Sequence, residues 1–350
     1  MQKWKENIRK IDPYVPGEQP TGKDIIKLNT NESPYAPSPS VKKVLSEYDY
    51  TGLRLYPSFV CPELKSALTE NYPVNEREIF LGNGSDEVLA LCFMTFFNSD
   101  KPVLFPDITY SFYDVWCSLY NIPYERVSLD SSFRFVKEDY YRENGGIVIT
   151  NPNAPTSVYM ELSDIEDIIR HNEDVIVIVD EAYIDFGGKS AVDLIHKYDN
   201  LVVVQTYSKS RSLAGIRVGY AFASEELINS LEAVKNSFNS YTLNSLSQAV
   251  AAASAKDKDY FNECVNKIIA AREWTVAELS KLGFETLPSK ANFIFTTNRN
   301  ISAEKLFNYL KSKNIYVRYF NKPRISEYLR ITIGTQEQME ALIKAIREYN

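Results

Sequence analysis

Val175-Ile176-Val177-Ile178-Val179-Asp180 is the segment that most narrows what this chain can fold into. Five consecutive β-branched residues offer no side to water, so they read as a central strand buried on both faces. Such a strand needs paired neighbours at its edges and helices above and below. The surrounding sequence supplies both. Residues 79–81, 103–105, 124–129, 145–150, 201–204 and 218–223 read as further strands. Residues 62–71, 88–97, 110–119 and 163–171 read as helices. In the last of these Ser163 is the expected N-cap, with Glu166 completing a capping box. Strands alternating with helices predict an α/β fold with a mostly parallel central sheet flanked by helices.

Past residue 224 the pattern changes. Helical segments fill 224–281, then strands at 292–296, 315–319 and 328–333 alternate with helices at 303–313 and 336–349. This predicts a small α+β domain with its own core. Pro13, Pro16, Pro20, Pro34, Pro37 and Pro39 make the start of the chain an extended arm. The expected division is therefore an arm at 1–40 that packs on the small domain or a partner, a large domain at 41–240 and a small domain at 241–350.

The net charge of −7 disfavours a nucleic-acid partner, because a phosphate backbone demands a basic surface. No apolar run approaches the ~18 residues of a membrane span. Residues 1–10 are charged and carry no apolar leader, so the cytoplasm is the expected compartment. Cys61, Cys92, Cys117 and Cys264 are scattered, and the chain holds only 2 histidines, so no metal site is expected.

In parallel sheets, ligands bind beyond the carboxyl ends of the strands. Asn153, Asp180, Thr206, Ser208 and Lys209 all lie at or just past such ends. A lysine among hydroxyls suits a covalent amine nucleophile beside a phosphate site. Asp180 closes a wholly apolar strand, where a carboxylate needs a cationic partner. Two readings stand. Asp180 pairs with Lys209 as a structural ion pair, or it faces the protonated ring nitrogen of a pyridine cofactor whose aldehyde Lys209 binds. The Gly82-Asn83-Gly84-Ser85 turn opens a helix and could turn backbone N–H groups toward an anion. It could also be a plain turn capped by Ser85. Asp86 and Glu87 would repel a phosphate there unless cations offset them.

Several segments together resemble the histidinol-phosphate aminotransferase family of fold-type-I, pyridoxal-phosphate-dependent enzymes. They are Leu28-Asn29-Thr30-Asn31-Glu32-Ser33-Pro34-Tyr35, Arg54-Leu55-Tyr56-Pro57, the Gly82 turn, Thr109-Tyr110, Asp180-Glu181-Ala182-Tyr183, Ser208-Lys209, Leu213-Ala214-Gly215-Ile216-Arg217-Val218-Gly219 and Leu329-Arg330-Ile331. The resemblance implies pyridoxal 5'-phosphate as cofactor, with Lys209 binding its aldehyde and shuttling the proton. Asp180 is implied to pair with the pyridinium. Tyr183 and Asn153 are implied to bond the ring hydroxyl oxygen, and Tyr110 to stack on the ring. Gly84, Ser85, Thr206, Ser208 and Arg217 form the implied phosphate cup, and Asp86 is a further implied cofactor contact. Tyr56 is implied to reach the cofactor phosphate of a second subunit, making a homodimer with shared sites. Arg330 is implied to bind the carboxylate of glutamate or 2-oxoglutarate, and Arg318, Tyr14 and Asn31 to meet the far end of the substrate. The implied reaction is amino transfer from histidinol phosphate to 2-oxoglutarate, in histidine biosynthesis. An aromatic amino-acid aminotransferase, a threonine-phosphate-type decarboxylase and a catalytically silent cofactor-binding protein are the alternatives. Ala154 replaces the asparagine usual before Pro155, so that either Asn153 substitutes for it at the ring or the contact is lost.

Overall fold

The computed structural model describes residues 3–22 and 24–349. Met1, Gln2 and Lys23 of the arm and Asn350 of the last segment lie outside the described residues. The arm holds one short strand, β1 (Ile26–Lys27), and is followed by α1 (Pro39–Glu47) and α2 (Pro62–Thr69). Seven strands then build the main sheet: β2 (Ile79–Gly82), β3 (Val103–Pro106), β4 (Tyr124–Val127), β5 (Gly146–Thr150), β6 (Val177–Asp180), β7 (Leu201–Thr206) and β8 (Gly219–Phe222). Their spatial order is β2-β8-β7-β6-β5-β3-β4. Strands β4, β3, β5, β6 and β7 run parallel, while β8 is antiparallel to both β7 and β2. The reversal at β8 has a local cause. The β7–β8 connection holds only the short turn Ala214–Ile216, not the crossover helix on which parallel neighbours usually depend. That loop, which carries Lys209 and Arg217, therefore folds back over the end of the sheet.

Strands β5, β6 and β7 are buried at every position, as their β-branched runs require. Alternation decides which helices they meet. Ile178 faces a layer made by α3 (Ser85–Phe96), α4 (Phe112–Tyr120) and α6 (Glu225–Phe238). Val177 and Val179 face the opposite layer, made by α1, α2, α5 (Leu162–Arg170) and α7 (Ser245–Lys256). Each such fully buried valine or isoleucine contributes about 1.5–3 kcal/mol.

Helix α5 starts two residues earlier than the expected cap implies. Glu161, not Ser163, is the N-cap, and no side chain caps it. The expected capping box does not form, because with the cap at Glu161 Glu166 lies past the third helical position that a box needs; its carboxylate accepts from Lys197 and Tyr198.

The second unit comprises α8 (Lys258–Lys281), β9 (Glu285–Thr286), β10 (Phe293–Thr297), α9 (Ala303–Ser312), β11 (Ile315–Tyr316), β12 (Arg318–Tyr319), β13 (Tyr328–Thr332) and α10 (Gln336–Tyr349). Its sheet has the order β12-β13-β10-β9 and is antiparallel. The single strand expected over 315–319 is two. Ile315 and Tyr316 pair with β1 of the arm, whereas Arg318 and Tyr319 pair with β13. The core of this unit takes in Leu28 of the arm and Phe186 of the large domain. Helix α7, which lies past residue 240, packs on α1 and α2 within the first core.

Candidate active site

A cavity of about 310 Å³ opens where the carboxyl ends of the parallel strands meet the arm and the second sheet. Asp180, at the end of β6, lies on its floor with 3% exposure. Its oxygens are engaged by protein donors. The Tyr113 hydroxyl donates to Oδ2 at 2.7 Å and the Ala182 N–H to Oδ1 at 3.2 Å. Burial pushes the carboxyl up to about 6, against the pull of those two bonds and of the Lys209 charge. The ion pair with Lys209 does not form among the described residues. Lys209 Nζ donates instead to the Thr30 carbonyl at 3.3 Å, and sits 5.6 Å from the centre of the Tyr183 ring. A carboxylate this deeply buried favours a cation placed against it. The cofactor reading of Asp180 supplies one, as the protonated ring nitrogen.

Helix α3 begins beside the Lys209 loop. Its N-cap is Gly84, at φ 84, and Ser85 is already its first helical residue. That φ favours glycine, because other residues rarely adopt it, and a Cβ there would also force the Arg217 guanidinium, 2.3 Å away, to shift. The first N–H groups of a helix have no partner within it and can face an anion. Arg217 closes this end. Its Nη1 donates to Ser208 Oγ at 3.3 Å and to the Ala214 carbonyl at 3.2 Å, and its Nη2 meets Asp86 Oδ2 at 3.3 Å. Tyr110 donates to the other Asp86 oxygen at 2.8 Å. Asp86, the expected source of repulsion, is thus engaged by Arg217 and Tyr110. Ser85, Asp86, Tyr110, Ser208 and Arg217 all face the cavity. The donor set at the helix start, Ser208 and Arg217 fits a phosphate. With Asp180 and Lys209 beside it, the floor fits pyridoxal phosphate.

Two expected contacts turn away. Thr206 Oγ1 accepts from the Ser208 N–H at 3.1 Å and donates to the Val218 carbonyl at 3.4 Å. It ties the ends of the loop together, and it does not line the cavity. Asn153 is wholly buried, and its amide is saturated by protein. Nδ2 donates to the Ile108 carbonyl and to Thr156 Oγ1, each at 2.9 Å, and Oδ1 accepts from Thr109 at 2.9 Å. Ala154 and Pro155, not Asn153, form the wall. Asn153 therefore does not take the place of the asparagine missing at 154.

The opposite wall comes from the arm and the second sheet. Leu329 and Ile331 point into the core, so alternation leaves Arg330 facing the cavity, as expected. Its Nη2 donates to the Asn29 carbonyl at 2.8 Å, while Nε is buried with no partner among the described residues. Burial, with the nearby Arg318 charge adding to it, lowers the Arg330 pKa from the usual guanidinium range. The guanidinium lies over Phe293 and Phe320, at 5.4 and 5.6 Å from the ring centres. Arg318, on β12, also lines the cavity. Tyr14 stacks on Phe112 at 4.2 Å, and burial raises its hydroxyl pKa. Asn31, at φ 57, donates from Nδ2 to Tyr183 Oη at 3.0 Å and accepts from Thr332 at 3.0 Å. Its amide thereby anchors the phenol above Lys209. Tyr56 lies elsewhere, 82% exposed and stacked on Tyr241 at 4.7 Å.

Tyr113, whose hydroxyl holds Asp180, was not singled out from the sequence. Its spacing from Tyr110, three residues on, carries the signal, because that spacing near a helix start puts two side chains on one face. Phe320, the ring beneath Arg330, has no local signal.

The sequence profile of aminotransferases of class I and II matches residues 23–346. The chain is 52% identical over 346 residues to a histidinol-phosphate aminotransferase of Lactococcus lactis subsp. cremoris (strain MG1363), covering 99% of this chain and 97% of that one. Among solved structures, a putative histidinol-phosphate aminotransferase from Erwinia carotovora atroseptica superposes with a TM-score of 0.86. It is 22% identical, over 95% of this chain and 98% of that one. The histidinol-phosphate aminotransferase from Sinorhizobium meliloti in complex with pyridoxal 5'-phosphate superposes with a TM-score of 0.82, at 21% identity over 93% and 92% of the two chains.

Proposed function

This chain belongs to the family of class I and II aminotransferases, and we propose that it uses pyridoxal 5'-phosphate to transfer the amino group of histidinol phosphate to 2-oxoglutarate. The products are imidazole-acetol phosphate and glutamate, a step of histidine biosynthesis. The observation that carries the choice of substrate is the arginine pair on the far wall. Arg330 is buried with an unpartnered Nε, and Arg318 stands beside it. Histidinol phosphate has a phosphate and no α-carboxylate, whereas glutamate has two carboxylates. Guanidinium groups bind either anion through paired hydrogen bonds, so one wall can serve both halves of the reaction.

Bound pyridoxal phosphate supplies an electron sink for the pair left behind when the substrate Cα loses its proton. The chain's own residues do the rest. Lys209 would hold the cofactor aldehyde covalently, and its Nζ, once free, is the base that would carry the proton of the substrate Cα. Asp180 keeps a proton on the ring nitrogen. Tyr183, anchored by Asn31, meets the ring hydroxyl. Ser85, Ser208 and Arg217 bind the phosphate, and Tyr110 covers the ring.

Tyr50, Leu53, Leu55, Tyr56, Phe59 and Val60 form an exposed apolar stretch, with Phe238 and Tyr241 also exposed. A patch this apolar is covered in a working protein. Its occupant is a second copy of this chain, with Tyr56 reaching the partner's phosphate cup. Among the described residues no helix is long and apolar enough to cross a membrane, and the cytoplasm is the proposed compartment.

The donor is tested by the first half of the reaction alone. Loss of the visible band of the loaded protein should be fastest with histidinol phosphate and slow with phenylalanine, tyrosine and threonine phosphate. An equal or faster response to phenylalanine would replace the substrate. Release of carbon dioxide from threonine phosphate would replace the reaction.

A further inference from the structure

Beneath the cavity lies a second group of polar side chains that the chemistry above does not use. Asp185 follows Tyr183 by two residues, in the turn Ile184–Phe186. Ser210 follows Lys209 directly and is 3% exposed. The Ser210 hydroxyl donates to Asp185 Oδ2 at 2.5 Å. Arg211, next in the chain, is buried too. Its Nη1 donates to the Ser254 carbonyl of α7 at 2.7 Å, and its guanidinium lies 4.2 Å from the centre of the Phe261 ring. The segment after Lys209 is therefore fastened at two successive residues. One fastening leads to α7. The other leads back to the turn that carries Tyr183.

We propose that Asp185 and Ser210 are a positioning pair: their hydrogen bond ties the Tyr183 segment to the Lys209 segment and so sets where the amine stands relative to the phenol. The proposal rests on the cofactor reading of this site. The geometry leaves Lys209 little other support. Among the described residues its Nζ has one hydrogen bond, to the Thr30 carbonyl of the arm, at the long distance of 3.3 Å. Tyr183 is held from the other side by Asn31, also of the arm. The Asp185–Ser210 bond joins the two segments beyond the strand ends without passing through the arm, adding to the β6–β7 pairing and the Gln205–Glu181 bond behind them. Arg211 is the cation facing Asp185, whose charge also acts on Glu181, Tyr72 and Tyr220.

The test uses the loaded enzyme without substrate. Ser210→Ala removes one hydroxyl and leaves the carboxylate in place. The pH midpoint of the visible absorbance should move up by about half a unit or more, because the phenol no longer stands where it favours loss of the proton. The visible circular dichroism should weaken as the cofactor's tilt is less fixed, while thermal unfolding stays cooperative. Asp185→Asn should shift the midpoint too, and should add less in the Ser210→Ala background than on its own, as coupled partners do. A folded Ser210→Ala protein with unchanged midpoint and dichroism would overturn the proposal, as would strictly additive shifts. If Asp185→Asn does not fold, Ser210→Ala decides alone. A wild-type protein with no visible band would instead sink the cofactor reading, and a changed donor preference would leave the pair untouched.

Discussion

The two ends of the cavity are built on opposite terms. On the floor, the charged groups already have protein partners: Asp180 has Tyr113 and Ala182, Asp86 has Arg217 and Tyr110, and Lys209 has the Thr30 carbonyl. On the far wall, Arg330 keeps a buried Nε with no acceptor among the described residues, and Arg318 lies close enough to lower its pKa further. The floor descends from one sheet, since its residues end β6 or follow β2, β3 and β7 by a few positions. The wall is assembled from an arm and a second sheet that are remote in sequence. A pre-satisfied floor suits a resident group that stays bound through many cycles. An under-bonded wall suits anions that come and go, because each arrival satisfies donors that its departure leaves bare.

The largest effect should come from breaking the floor. Lys209→Ala should abolish the visible band and cut transamination by about 10³-fold or more, since both the covalent anchor and the proton carrier are lost. Retained absorbance would refute the assignment. Next is the wall. Arg330→Ala should lower kcat/KM for the glutamate half-reaction by about 2–4 kcal/mol, roughly 30- to 1,000-fold, with cofactor affinity unchanged. Equal losses in cofactor binding, measured by equilibrium titration, would show that the two ends are not separable.

Asp180 offers a test in which stability and binding move in opposite directions. In the cofactor-free protein its carboxyl titrates at about 6, above the usual aspartate range. Between that range and about 6 the folded protein keeps a proton that the unfolded chain has released. The contribution to stability is therefore fully present below the usual range and is lost as pH rises through about 6. Asp180→Asn removes the ionisation. Without cofactor it should be the more stable protein above pH 6, by about 3 kcal/mol at most, and lose less stability on going from pH 5 to 8. With cofactor the order should reverse. Thermal unfolding across that range checks the crossing, and a variant less stable at every pH without cofactor would contradict it.

The smallest effect on the site should come from Asn153. Its amide holds Ile108, Thr109 and Thr156 together, so Asn153→Ala should cost about 1–3 kcal/mol of folding stability. The visible band and its pH midpoint should stay in place. A shifted midpoint would return Asn153 to the ring-binding role that the sequence suggested.

The sequence alone determined the main sheet and the chemistry at its edge. The β-branched run ending at Asp180 permits little but a central strand, and parallel strands bring their carboxyl ends to one rim. Asp180, Ser208 and Lys209 were thus legible as neighbours before any coordinates, because strand periodicity is local and the rim follows from it. Arg330 was legible in direction for the same reason, since Leu329 and Ile331 need the core. Tertiary structure decided what depends on a partner far along the chain. Whether Asn153 or Ala154 faces the cavity turns on bonds to Ile108 and Thr109. Whether residues 315–319 make one strand or two turns on the arm, which takes Ile315 and Tyr316 while β13 takes Arg318 and Tyr319. The cap of α5 falls at Glu161, which leaves Glu166 to Lys197 and Tyr198. In each case a side chain or strand had two satisfactory partners in principle, and local pattern carries no information about which one the fold brings within reach.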